Sequence, residues 1–198
     1  METPESEPIE LVEQQEQPPQ PGLPRRVGRS LLHALSELVS TILPAVLIAL
    51  VINLFLAQAT VVQGQSMEPN LHNEERLIVE KVTYQLFHGP RRGDVVVLQP
   101  PGQDELLIKR VIALPGETIQ VQNGVVYING EALDEPWAVN GGGPDYPPAV
   151  VPPLHIFVMG DNRGHSNDSR SFGPVPIERV IGHAWFIYWP PQEIGPVR

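Results

Sequence analysis

Apolar residues follow two regimes along this chain. From Leu38 to Ala57 they form a run of 20 residues without a charge, and after Thr60 they come in short bursts separated by turns. The first regime predicts a helix that, at about 1.5 Å per residue, spans roughly 30 Å, one hydrocarbon core. Arg25, Arg26 and Arg29 precede it, which predicts a cytoplasmic N-terminus and an extracytoplasmic remainder. Ala57-Gln58-Ala59 has the small-x-small form of a signal-peptide cut site. The run is longer than the roughly 7–15 apolar residues of a cleavable signal peptide, so a retained anchor is expected.

The second regime predicts strands. Arg76–Val82 and Asp94–Leu98 are β-branched runs, the second entered through a turn at Arg92-Gly93-Asp94. Leu106–Leu114 is apolar except for Lys109 and Arg110, and Pro115-Gly116 ends it. Thr118–Gln122, Asn123-Gly124 and Val125–Ile128 read as a hairpin with a type I′ turn. Glu135–Pro153 reads as loose and rich in Gly and Pro, Ile156–Met159 as a short strand, Asp161–Arg170 as a polar loop, and Ile181–Tyr188 as a last strand. The expected fold is mainly β: a single transmembrane helix, then an antiparallel β domain with a small inserted β extension. The expected divisions are a disordered tail over 1–24, a basic flank and anchor over 25–59, and a β domain over 60–198 with the extension at 117–155.

Composition narrows the function. The formal charge is −10, but six glutamates in residues 1–24 leave −4 for the rest, which argues against a broad basic face for nucleic acid. The tail is rich in Glu, Gln and Pro and too poor in apolar residues to offset its ordering entropy. With no cysteine, disulfides, thiol nucleophiles and cysteine-based zinc sites are excluded. The six histidines show no metal-ligand spacing, so no metal or cofactor is expected.

Candidate chemistry centres on two residues. Ser66 lies a few positions past the apolar run, and Lys109 lies 43 positions later within the strand-like Leu107–Ala113. Strand alternation puts Lys109 on a face with Leu107, Val111 and Ala113 and sends Arg110 to the other. Among apolar neighbours a lysine loses solvation of its charged form, and its neutral amine becomes available as a base. The same pattern also fits two surface cations on an edge strand. A Ser66–His165–Asp168 triad can be assembled on paper, since triads are defined by geometry and not by order.

Four segments in order resemble the bacterial type I signal peptidases, membrane-bound Ser-Lys endopeptidases. They are Ser66-Met67-Glu68-Pro69-Asn70-Leu71, Arg92-Gly93-Asp94-Val95-Val96-Val97, Lys109 through Gly116, and Gly160-Asp161-Asn162-Arg163 with Ser166, Asp168, Ser169 and Arg170. The resemblance implies Ser66 as nucleophile and Lys109 as general base, with Ser166 hydrogen-bonding the lysine amine. It implies structural ion pairs of Asp161 with Arg110 and of Asp168 with Arg170. Gly64 stands where some members carry an oxyanion-binding serine, so backbone N–H groups would take that role. Asn70 stands where threonine is common, and is expected to be a tolerated change. Val61, Val62 and Met67 are the expected substrate-binding neighbourhood for small side chains.

The implied function is removal of signal peptides from exported preproteins by a single-pass, monomeric enzyme of the cell membrane. Its expected partners are preproteins and the lipid bilayer, and nucleic acid is not among them. Two other readings stand beside it. One is a catalytically silent, membrane-tethered β scaffold. The other is the self-cleaving repressors of the bacterial damage response, whose solubility and DNA binding fit poorly with an anchor and an acidic balance.

Overall fold

The computed structural model describes residues 26–51, 57–139 and 141–198; the tail over 1–24 lies outside the described residues. Helix α1 covers Arg26–Val51 and contains Pro44. It takes in the apolar run as far as Val51, and residues 52–56 of that run lie outside the described residues. Leu38, Ile42, Leu43, Leu47 and Ile48 on α1 are exposed. Among the described residues no helix is long and apolar enough to cross a membrane.

The chain enters its β structure at Ala57, three residues ahead of the expected Thr60. Strands β1 (Ala57–Val61), β2 (Arg76–Glu80), β3 (Val95–Leu98) and β4 (Leu107–Ala113) belong to the main sheet. So do β9 (His155–Met159), β10 (Val175–Pro176), β11 (Val180–Trp189) and β12 (Gly195–Pro196). The order is β1-β2-β11-β3-β4-β9-β10, with β12 beside β11 and every pairing antiparallel. β1 ends this order, so one of its edges has no strand partner among the described residues. β3 and most of β4 are buried, as expected of central strands written as continuous Val, Leu and Ile.

A second antiparallel sheet forms from β5 (Thr118–Gln122), β6 (Val125–Ile128), β7 (Glu131–Ala132) and β8 (Tyr146–Val150), in the order β7-β6-β5-β8. The hairpin expected at Asn123-Gly124 is present, with both residues at positive φ. Strand β8 falls inside the segment expected to be loose. Pro147 and Pro148 hide it in the sequence, because proline cannot donate to a ladder. Here β8 is an edge strand, and its register on β5 shifts between Ile119 and Val121, where the prolines fall.

Ile112, Ala113, Phe157 and Met159 of the main sheet pack with Ile119, Val121 and Val126 of the small sheet, and with Val151 just past β8, in one buried cluster. Phe157 is fully buried, and its ring lies 4.9 Å from that of Tyr146. Phe157→Ala is expected to cost about 3–5 kcal/mol, read from urea unfolding. A loss no larger than that of a surface substitution would mean that the two sheets do not depend on this contact.

Candidate active site

Ser66 is presented by a tight helical turn. Glu68 N–H donates to Gln65 O, and the N–H groups of Asn70 and Leu71 donate to Met67 O. Met67 and Leu71, four apart, sink into a cluster with Val62, Leu77, Val95, Ala184 and Ile187. Burying that face leaves Ser66, one residue earlier, pointing at the neighbouring β4.

Lys109 sits on β4 opposite Val96 of β3 and is 3% exposed. Its Nζ donates to Ser66 Oγ at 2.7 Å and to Ile108 O at 3.0 Å. Burial pushes its pKa down from 10.5 to about 8, against the opposing pull of the Asp168 and Asp161 carboxylates. The alternative of an exposed edge cation does not hold for this residue.

Arg110, next in sequence, reaches a different set of partners. Its guanidinium makes a two-pronged contact with Asp161, at 2.8 and 2.6 Å, and also donates to Gly93 O and Arg198 O. Asp168 accepts from Arg170 Nε and Nη2, both at 2.9 Å, and from Gly160 N–H at 3.1 Å. Burial alone would raise the Asp168 pKa, but Arg170 and the Gly160 N–H outweigh it and hold the carboxyl below its ordinary range. Both pairs are buried. The segment read as a polar loop is therefore folded inward, with a 3₁₀ turn at Arg163–His165 and a short helix α2 at Ser169–Phe172 capped by Asp168.

The terminal motif also touches the serine turn directly. Asn162 N–H donates to Ser66 O at 3.0 Å, and Asn162 Nδ2 donates to Gln65 O. A Cβ on Gly160 would lie 2.5 Å from Ser66 O and 2.3 Å from Ser166 Oγ. Only glycine permits that approach. No bond from Ser166 to the lysine amine is seen; the buried Ser166 hydroxyl lies by the Asp168 carboxylate instead and helps to hold its pKa down.

The paper triad is not assembled. His165 Nδ1 contacts Asn162 Oδ1 at 3.2 Å, while Asp168 is held by Arg170. Among the described residues no group of three or more His, Asp or Glu side chains is arranged to hold a metal ion.

A groove of about 630 Å³ opens over Ser66 and Lys109. Val61, Val62, Gly64 and Met67 line it, as do Leu107, Ile108 and His165. Leu107 and Ile108 were not among the expected substrate-binding residues, and His165 was considered only as a triad member. Leu107 and Ile108 flank Lys109 on its own strand, so the wall was implicit in the placement of the lysine. Gly64, at φ +84°, has its N–H committed to Asn73 Oδ1, whereas the Ser66 N–H has no acceptor among the described residues.

Residues 35–189 match the family described as signal peptidase, peptidase S26. The chain belongs to that family. It is 40% identical over 169 residues to the probable signal peptidase I-1 of Synechocystis sp., covering 81% of this chain and 86% of that protein. It is 43% identical over 171 residues to signal peptidase I of Leptolyngbya laminosa, covering 81% and 83%. It is 38% identical over 174 residues to signal peptidase I of Bacillus licheniformis, covering 82% of this chain and 92% of that protein.

Proposed function

We propose that Ser66 and Lys109 are the catalytic dyad with which this signal peptidase removes signal peptides from exported preproteins. The observation that carries the proposal is the 2.7 Å contact between Ser66 Oγ and a buried lysine amine. With the amine neutral the same contact reverses, and the Ser66 O–H donates its proton to Nζ. The serine oxygen then attacks the scissile carbonyl, the proton passes to the leaving amine, and an acyl-enzyme remains. Lys109 next takes a proton from water, which attacks the ester and frees Ser66.

The Ser66 N–H supports an oxyanion-stabilising role, a donor of a kind typically worth about 3 kcal/mol. The free edge of β1 and the groove beside it suit an extended peptide added as a further strand. Val61, Val62 and Met67 would line its pockets for small side chains. Asp161 with Arg110 and Asp168 with Arg170 keep the base in place without taking part in the chemistry. Ser166, against Gly160, stands as a supporting hydroxyl.

The exposed apolar side chains of α1 and the apolar run that continues past it support a membrane anchor. The N-terminus would then be cytoplasmic and the β domain outside the cell membrane. Enzyme and preprotein in one bilayer meet at a raised effective concentration. A scaffold reading leaves the buried lysine beside a serine without a purpose.

Cleavage of a preprotein with an Ala-x-Ala site tests the dyad, with Ser66→Ala as control. Because the working form of Lys109 is unprotonated, kcat/KM is expected to rise with pH through about 8 and to fall roughly tenfold per unit below it. An acid limb that stays flat down to pH 5 would count against a lysine base.

A further inference from the structure

We propose that Asn70 is a positioning residue of the active site, acting with Trp137 through the Arg110–Asp161 pair. This rests on the reading of Ser66 and Lys109 as the dyad. Asn70 Nδ2 donates at 2.8 Å to Asp161 Oδ2 and at 2.8 Å to Trp137 O. One amide thus joins three parts of the chain: the serine turn, the terminal motif and the connection between β7 and β8 of the small sheet. Asparagine is suited to this because its amide nitrogen carries two donors.

The segment that Asn70 grips is fastened to the same place by other bonds. Val139 N–H donates to Asp161 O, and Arg163 N–H donates to Val139 O. Glu135 pairs with Arg163. The Trp137 ring covers the Arg110 guanidinium, whose central carbon lies 5.0 Å from the ring centroid. Trp137 Nε1 is buried without a hydrogen-bond partner, so this tryptophan serves through its ring and its carbonyl.

The serine turn is consequently tied to the terminal motif at two places. At the front, Asn162 donates twice, from its N–H to Ser66 O and from Nδ2 to Gln65 O; at the back, Asn70 holds the Asp161 carboxylate. The back tie has an electrostatic effect on the base. Asp161 is fully buried, and its charge favours the protonated form of Lys109. Each donor on that carboxylate offsets part of its charge. The other charged or titratable groups around the amine are Asp168, paired with Arg170, and His165 and Glu105 in the groove. Removing the Asn70 amide leaves Asp161 with fewer donors and the serine turn held to the terminal motif only at its front, by Asn162.

The test uses the full chain in detergent, cleaving an Ala-x-Ala preprotein between pH 6 and 10. Asn70→Leu keeps the volume and removes both donors, and Asn70→Thr keeps one. For Asn70→Leu, kcat is expected to fall about tenfold with KM nearly unchanged, and the acid limb to move up by about half a pH unit. Asn70→Thr is expected to lie between Asn70→Leu and wild type in both. If the leucine variant does not fold, Asn70→Ala is measured in its place against the same expectations. An acid limb that superimposes on wild type, or a loss carried by KM alone, overturns the proposal. Lys109→Met run alongside keeps the two readings apart. If it is dead while the Asn70 limb is unmoved, only the positioning role fails; if it still cleaves, the dyad fails.

Discussion

Lys109→Met is expected to leave preproteins uncut while raising the melting temperature. The loss of activity follows from removing the base, typically worth about 10²–10⁴-fold by itself. Combining it with Ser66→Ala should add little, because residues that act as one unit are not additive. The gain in stability follows from the depressed pKa. The lysine is held near 8 in the fold, against 10.5 as its ordinary value. As pH falls below 10.5 the unfolded chain takes up a proton that the folded chain still refuses, and this lowers stability until about pH 8. Below that both states are protonated and the penalty is constant. Its size is on the order of 1–3 kcal/mol.

Methionine fills similar space with no charge to desolvate. Thermal unfolding at pH 7 should therefore show a rise of several degrees. The rise should shrink toward pH 11, where the wild-type lysine is neutral in both states. A variant that melts below wild type at pH 7 would show instead that the amine's bonds to Ser66 and Ile108 outweigh its desolvation.

Asp168→Ala carries the second large effect, in the opposite direction. Asp168 is fully buried, and its carboxylate accepts from the Arg170 guanidinium, the Arg170 N–H and the Gly160 N–H. Removing it strands a buried guanidinium, at a cost of about 3–5 kcal/mol. It also removes the cap of α2. Asp168→Ala combined with Arg170→Met should recover much of the loss, since replacing both members of a buried pair with apolar groups is often close to neutral.

The pH dependence of this pair has a definite sign. The Asp168 pKa is held below its ordinary 3.8, so the pair contributes fully above that value and loses its contribution as pH falls below it. Urea unfolding at pH 7 should separate wild type from variant widely, and the gap should close in the acid range below about pH 4. An unchanged gap down to pH 2 would mean that the carboxylate is not what supports Arg170.

Comparison of the chain with its fold shows where residue order carries information. Strands β3, β4, β5, β6 and β9 were readable because apolar runs and turn residues are local signals. β8 was not, because its two prolines look like a loop until an edge position excuses them from donating. Residues 161–170 read from composition as a polar loop, and their ion pairs were expected only from the resemblance of the motifs. Alternating charges have the same composition whether they face water or pair with each other. The pairing partner of Asp161 is Arg110, 51 positions earlier, and no local pattern announces it. Asn70 was taken for a tolerated turn residue, since its two acceptors come from segments far along the chain.

Residue order was enough to assign Lys109 and Arg110 to different tasks, because strand alternation is a property of the backbone. It was also enough to mark Ser66, through the motif that surrounds it. Whether the amine reaches the serine, how dry it is, and what holds the two together depend on how distant segments pack. Desolvation and hydrogen-bond geometry arise only when β4, the serine turn and the terminal motif close on one another. The turn gains its two ties, and Lys109 its lowered proton affinity, from that closure.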